Sequence, residues 1–482
     1  MMARRRVVVV GAGIAGLATA YRLTRTHNGD DPSDVIVVEQ GDRAGGKLWT
    51  TQLDGMPVEA GADSFVVRKP WAVELCKELG MGDELVTPGA EGASVWVRGR
   101  LVPFPTRSAF GIPSTARSLL RWPGLSVRGR FRAAADLYRR ATKGDGDQSL
   151  GSLIRWRMGP EALRVLVGPL LGGIHAGDPD RLSLLATFPE LRSWERGHES
   201  LIRGARASLK AVGATQRSPL FATVWGGLTG LVSALESAVG VDRIWLGTPV
   251  TGIRRGDRGE WQIAAGGKPL EASAIVLATP AFATAELLAE ASPAAAARLR
   301  AIPYVSTAVV FLMYPYGALP TGTGFVLPLG ERPITACTYL SQKWPREETR
   351  ERVILRCFVG RAGQEDTLDQ SDEDLISRVS KEVEEALRLS GPPVASRVVR
   401  WPRSMAQYEV GHLDRVSQIE EALQGTPGLF VTGSAYRGVG IADCVRHANE
   451  TAAGVVAYLR VARTGSSTER NDETRESISW KK

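Results

Sequence analysis

Apolar positions along the chain fall into runs of two periods. Val7 to Val10 is a continuous β-branched block, the pattern of a strand covered on both faces. From Ile14 to about Arg25 the period lengthens to that of a helix, with Leu17, Ala20, Tyr21 and Leu23 on the apolar side. A polar, turn-rich stretch follows from His27 to Ser33, and a second apolar block, Val35 to Val38, ends in Glu39. Together these predict a strand–helix–strand unit.

Helical patterns then dominate to about residue 210, including Ser114 to Leu120 and Gly129 to Tyr138 on either side of a Trp122-Pro123-Gly124 turn. Strand-like text returns between Trp225 and Pro280, in the segments 244–247, 248–255, 260–267 and 272–280. Residues 300–410 mix strands (Thr307 to Met313, Val353 to Val359) with one clear helix, Asp372 to Leu389. The segment 428–445 predicts a strand, a glycine-rich loop and a helix to about Arg463. The remaining tail is polar and charged, and its composition predicts disorder.

With 482 residues the chain exceeds one compact core, which predicts two or three domains. The formal charge of +8 favours anionic partners without choosing among them. Much of it lies between Arg98 and Arg140, where ten arginines accompany a single acid, Asp136. That stretch reads as an amphipathic patch for an anionic membrane surface, as a surface for an acidic substrate or partner enzyme, or as a solvated helical face. No nucleic-acid module accompanies it. Cys76, Cys337, Cys357 and Cys444 share no paired spacing and the five histidines are scattered, so neither disulfides nor a metal site is expected. A cytoplasmic setting fits, with contact at the inner membrane face left open. No stretch approaches the roughly 20 apolar residues of a membrane-spanning helix.

The chemistry starts in the first turn. Gly11, Gly13 and Gly16 form G-x-G-x-x-G immediately after a strand and at the opening of a helix, the context the motif requires. The first glycine permits the tight turn, the second lets backbone approach a pyrophosphate, and the third lets helix and strand pack closely. Free N–H groups at the helix N-terminus, together with its dipole, would bind the phosphates. Glu39, 23 residues past Gly16, suits a ribose 2′-hydroxyl and repels a 2′-phosphate. A second glycine pair, Gly45-Gly46, precedes Lys47. A nicotinamide enzyme does not need that pair, whereas an extended flavin adenine dinucleotide (FAD) does.

The spacing from Glu39 to Gly45-Gly46, together with VEAGADSF (58–65), ATP (278–280) and GSAYRGVGIADCV (433–445), resembles the flavin-containing amine oxidase superfamily. Within it, ADSFVVRKPWA, the segments 167–189 and 334–345, and RWPRSMAQYEVGH (400–412) are similar to the oxygen-dependent porphyrinogen oxidases of haem synthesis. Of these, the bacterial branch acting on coproporphyrinogen III is the nearer resemblance, and the branch acting on protoporphyrinogen IX the next. The resemblance implies an α/β fold, α+β overall: a Rossmann-like FAD-binding domain, a mixed-sheet substrate domain and a helical insertion. The implied boundaries are 1–66, 221–280 and 425–463 for the FAD domain, 67–97 and 281–424 for the substrate domain, 98–210 for the insertion and 464–482 for a disordered tail. FAD contacts are implied at the glycine turn (11–16), Glu39, Gln40, Gly46, Lys47, Ala62, Asp63, Ser64, Phe65, Val250, Trp401, Val439, Gly440 and Ile441. The chain departs from the family at Ala62, where proline is common, and at Pro70, where some members carry a lysine.

A porphyrinogen bears propionates, for which arginine and lysine are natural partners. Arg68, Lys69 and Lys343 are the candidate substrate cations, with Arg98, Arg107 and Arg403 behind them, and Tyr408 and Trp344 are candidates for the flat face of the macrocycle. His175 and His412 read as structural. The expected reaction is an oxygen-dependent, FAD-dependent oxidation with no metal, and no residue stands out as its base. Other readings remain: an amine oxidase or carotenoid desaturase, a non-enzymatic escort-type binding protein, or a nicotinamide dehydrogenase.

Overall fold

The computed structural model describes residues 5–25, 34–141, 144, 146–211, 219–257, 259–315, 317–330, 332–347 and 352–478, with side chains as far as Val461. The turn read at 27–33 and the last four residues lie outside the described residues.

Val7 to Val10 sits inside a five-stranded parallel sheet. The strand order is Ile244–Trp245, Asp34–Val38, Arg6–Val10, Ala274–Leu277, Leu429–Val431. Successive side chains leave opposite faces. Val7 and Val9 therefore enter one core, with the helices Ile14–Arg25, Leu228–Val239 and Ile441–Ile478. Val8 and Val10 enter another, with a three-stranded antiparallel sheet (Val250–Arg255, Trp261–Ala265, Lys268–Ala272) and three further helices. Burial on both faces is why this strand is an unbroken apolar run.

A seven-stranded mixed sheet forms the second layer system. Its order is Ala395–Ala406, Tyr304–Pro315, Arg352–Val359, Ile334–Tyr339, Gly324–Val326, Ser94–Val97, Arg100–Pro103. Only the Gly324–Val326/Ser94–Val97 pair is parallel. One face carries the helix Asp372–Leu387 over Ala308, Val310 and Leu312. The other face, with Val309, Phe311 and Met313, packs on Leu53 and Val58 of the hairpin Thr50–Leu53/Met56–Glu59 and on Ala60 just after it. That contact delivers the end of the hairpin to the sheet and fixes the loop that follows it.

The third body is helical and runs from Ala116 to Ala211. Arg157 and Asp136, both fully buried, are paired at 2.6 Å inside it. Two sequence boundaries shift. Residues 100–103, expected in the helical insertion, are the edge strand of the mixed sheet, because Val95 pairs with Val102. Trp71–Glu78, expected with the substrate domain, buries Ala72, Leu75 and Cys76 in the core of the parallel sheet. The helices Ala281–Leu287, Pro293–Arg300 and His412–Gln424 likewise pack beneath that sheet. The tail also differs: the terminal helix continues to Ile478, since an already nucleated helix extends at one hydrogen bond per residue. Among the described residues no helix is long and apolar enough to cross a membrane.

Candidate functional site

The glycine turn closes as its spacing requires. Gly11 adopts φ +103°, and its N–H donates to Val38 O at 2.8 Å. A Cβ on Gly16 would lie 1.9 Å from Gly11 O, so helix and strand approach as only glycine allows. A Cβ on Gly13, by contrast, would meet nothing within 4 Å. This glycine faces open space in front of the helix N-terminus, where unpaired N–H groups gather.

The second glycine pair is laid against the first. Gly45 N–H donates to Ala12 O at 2.8 Å, and a Cβ on Gly46 (φ +56°) would sit 3.3 Å from the Gly13 Cα. Glu39 holds its carboxylate at the strand end by accepting from Ala12 N–H at 2.8 Å and Gly41 N–H at 2.9 Å. Thr248 N–H donates to Glu39 O at 2.8 Å, which brings Val250 alongside, while Gln40 is exposed. Lys47 is half-buried. Burial lowers its pKa, the Cys444 thiol faces it, and no partner for its ammonium is found among the described residues. A desolvated cation without a counter-ion is costly, and an incoming anion would neutralise it.

The third wall is the loop after the hairpin. A Cβ on Gly61 would lie 1.8 Å from Lys47 O, and Ala62 N–H donates to the same oxygen at 3.2 Å. The mixed sheet clasps this loop. Trp401 Nε1 donates to Ala60 O at 2.8 Å, and Arg356 donates to Gly61 O. Lys343 Nζ lies 2.6 Å and Arg356 Nη1 3.5 Å from Asp63 Oδ2, and Ser64 Oγ donates to Oδ1 at 2.9 Å. Burial pushes the Asp63 pKa up, but the two cations outweigh it and hold the carboxyl well below the usual range. Glu59 behind it is pushed upward by burial, although it accepts from Leu228 N–H and Thr50 Oγ1. Phe65 closes the loop, buried and paired with Ala222.

The C-terminal segment forms the lid of this cradle. A Cβ on Gly433 (φ +116°) would lie 3.8 Å from Ala15 Cβ, placing the loop beside the first helix. Val439 is half-buried, Gly440 exposed and Ile441 buried where the terminal helix begins.

The four proposed substrate contacts separate. Arg68 is exposed with no partner among the described residues. Lys69 is 46% exposed and paired with Asp443 at 2.7 Å. Lys343, expected to meet a substrate carboxylate, is instead spent on Asp63, the two side chains being 14% and 13% exposed. Tyr408, expected on the macrocycle face, is 1% exposed; its ring stacks on His412 at 3.9 Å. Trp344 is part-buried and points its Nε1 at Asp63 (3.4 Å). Arg98 pairs with Glu161, and Arg403 covers Phe282. His175 and His412 are buried as structural residues, each with its pKa lowered to about 4, first of all by burial. Arg356 was missed; its only signal in sequence is a cation inside the apolar run Arg352–Val359.

The walls suit FAD on structural grounds: an open glycine, two helix N-termini, a carboxylate at the strand end and an uncompensated lysine. The family described as flavin containing amine oxidoreductase matches residues 14–456. Coproporphyrinogen III oxidase of Bacillus subtilis is 35% identical over 95% of this chain and 99% of its own. The enzyme of that name from Staphylococcus aureus is 32% identical over 94% of this chain and 100% of its own. A solved structure from Exiguobacterium sp., provisionally named a protoporphyrinogen oxidase, superposes with a TM-score of 0.85 at 31% identity, covering 95% of this chain and all of that one.

Proposed function

The chain belongs to the family of flavin-containing amine oxidoreductases, and on that premise we propose that it oxidises coproporphyrinogen III to coproporphyrin III in haem biosynthesis, with FAD as its cofactor. The observation that carries this reading is the 35% identity to the Bacillus subtilis enzyme along 95% of the chain. It spans the cradle and also the middle of the chain.

The flavin supplies a two-electron acceptor that molecular oxygen restores, releasing hydrogen peroxide. A porphyrinogen loses six electrons, so three rounds complete one turnover. The residues assigned to FAD are those of the glycine turn, Glu39, Gln40, Gly46, Lys47, Ala62–Phe65, Val250, Trp401 and Val439–Ile441. Lys47 and the two helix N-termini would neutralise the diphosphate. Glu39, already oriented by Ala12 and Gly41, would take the ribose hydroxyls. The clasp from Trp401, Lys343 and Arg356 holds the 60–64 loop in one position, so that the substrate meets a rigid wall. Arg68 and Lys69, which follow that loop, are assigned to the propionates. Contact between the Arg98–Arg140 region and an acidic membrane or partner-enzyme surface, in the cytoplasm, belongs to the same proposal. The one acid of that region is buried against Arg157, so its exposed charges are all positive.

Protoporphyrinogen IX is the second reading, favoured by the name of the Exiguobacterium structure. Purified protein with flavin absorption bands should oxidise coproporphyrinogen III faster than protoporphyrinogen IX in air, followed by porphyrin fluorescence. The reverse order would select the second reading. A colourless protein, inactive on both after FAD is added, would overturn both.

A further inference from the structure

The loop 434–438 joins the dinucleotide sheet to the terminal helix, and side chains from outside it hold its backbone. Tyr408 reaches it from the end of the mixed sheet. Its hydroxyl donates to Ser434 O and accepts from Gly438 N–H, both at 2.9 Å. His412, stacked on the Tyr408 ring at 3.9 Å and 11°, bonds Tyr436 O through Nε2 at 2.8 Å. His175 borders the same ring at 5.8 Å, and Ser183 N–H donates to Tyr408 O at 2.7 Å, which ties the tyrosine to the helical region. Three alternate positions of the loop backbone are therefore held by two buried side chains.

The loop needs such a hold. Gly433 and Gly438 both adopt positive φ, +116° and +134°, and Gly440 follows. Glycines at such density leave a free segment many conformations, and ordering it costs entropy. One end of the loop lies against Ala15 of the glycine turn, and the other opens the terminal helix, whose Cys444 thiol faces Lys47 of the cradle. A cofactor entering the cradle would meet a preordered wall only if the loop were fixed beforehand.

We propose that Tyr408 is a positioning residue for the cofactor, its hydroxyl latching the 434–438 loop into the shape that completes the FAD cradle. The proposal rests on the reading of the cradle as an FAD site. Burial holds the phenol well above its ordinary pKa, so at neutral pH it remains both donor and acceptor.

The test is Tyr408→Phe, which keeps the ring and its stack. The purified holoprotein would be stripped of flavin and titrated with FAD by quenching of flavin fluorescence, and both apo and holo melting temperatures recorded. Losing two hydrogen bonds of about 1 kcal/mol each should weaken FAD binding about tenfold, with the remainder appearing as a smaller loss of apoprotein stability. An affinity within twofold of the parent, or a drop in apoprotein stability as large as the drop in holoprotein stability, would overturn the latch. Should Tyr408→Phe not fold, His412→Gln, which keeps a donor for Tyr436 O but removes the stack, is measured the same way. It is expected to weaken FAD severalfold, and unchanged affinity would overturn the proposal. A parent protein that takes up no FAD would instead sink the cofactor reading itself.

Discussion

Replacing Lys343 with methionine distinguishes a structural ion pair from a substrate contact. Lys343 and Asp63 meet at 2.6 Å with 14% and 13% of their side chains exposed. Removing one partner of a buried pair costs about 3–5 kcal/mol, because the other charge is left desolvated. Asp63 would retain Arg356 at 3.5 Å and the Ser64 hydroxyl at 2.9 Å, which brings the expected loss below that range, to about 2–3 kcal/mol. Urea unfolding of the holoprotein, followed by tryptophan and flavin fluorescence, should show this as a lower midpoint at unchanged slope. Asp63→Asn in the same background should recover part of it, with a coupling of about 1–3 kcal/mol in the double-mutant cycle. The carboxyl is held below its unfolded value of roughly 3.9, so its stabilisation is complete above that pH and is lost as pH falls further. Lys343→Met should flatten this acid limb. A variant whose stability lies within about 0.5 kcal/mol of the parent, but whose KM for the porphyrinogen rises steeply, would refute the pairing and return Lys343 to the substrate.

Two glycines of one motif should behave in opposite ways. Gly13→Ala meets open space and should leave apoprotein stability within about 1 kcal/mol while weakening FAD tenfold or more. Gly16→Ala drives a Cβ to within 1.9 Å of Gly11 O and should destabilise the apoprotein itself by about 3 kcal/mol or more. Melting curves and FAD titrations of both variants separate the two. Buried His175 and His412, each lowered to about 4, bind protons only after the unfolded chain does. Their contribution is complete above pH roughly 6.5 and falls away between there and about 4, by about 3 kcal/mol each at the limit. A pH series of melting temperatures should decline across that window, and His412→Gln should shallow the decline; a flat series would contradict the buried neutral state.

Much of the cradle was legible in sequence because its parts are local. A β-branched block, a glycine turn, a helix and an acid-tipped second strand each follow from contiguous residues whose backbone preferences do not need the rest of the chain. The Asp372–Leu387 helix and the structural histidines were legible for similar reasons, periodicity and the absence of any partner pattern. What was not legible is which charges are free. Lys343 and Asp63 are 280 positions apart, and nothing in either segment announces that a hairpin packed on a mixed sheet brings them to 2.6 Å. The same packing buried Tyr408 against His412 and placed Arg356 behind the loop. Cys337 and Cys357, read as unrelated, face each other across neighbouring strands at 3.7 Å. It also drew the helices Trp71–Glu78 and Ala281–Leu287 onto the parallel sheet, away from their neighbours in sequence. The sequence by itself determined backbone geometry, which depends on adjacent residues. Only the tertiary structure decided which side chains are neutralised, because burial and charge pairing depend on contacts made across hundreds of residues.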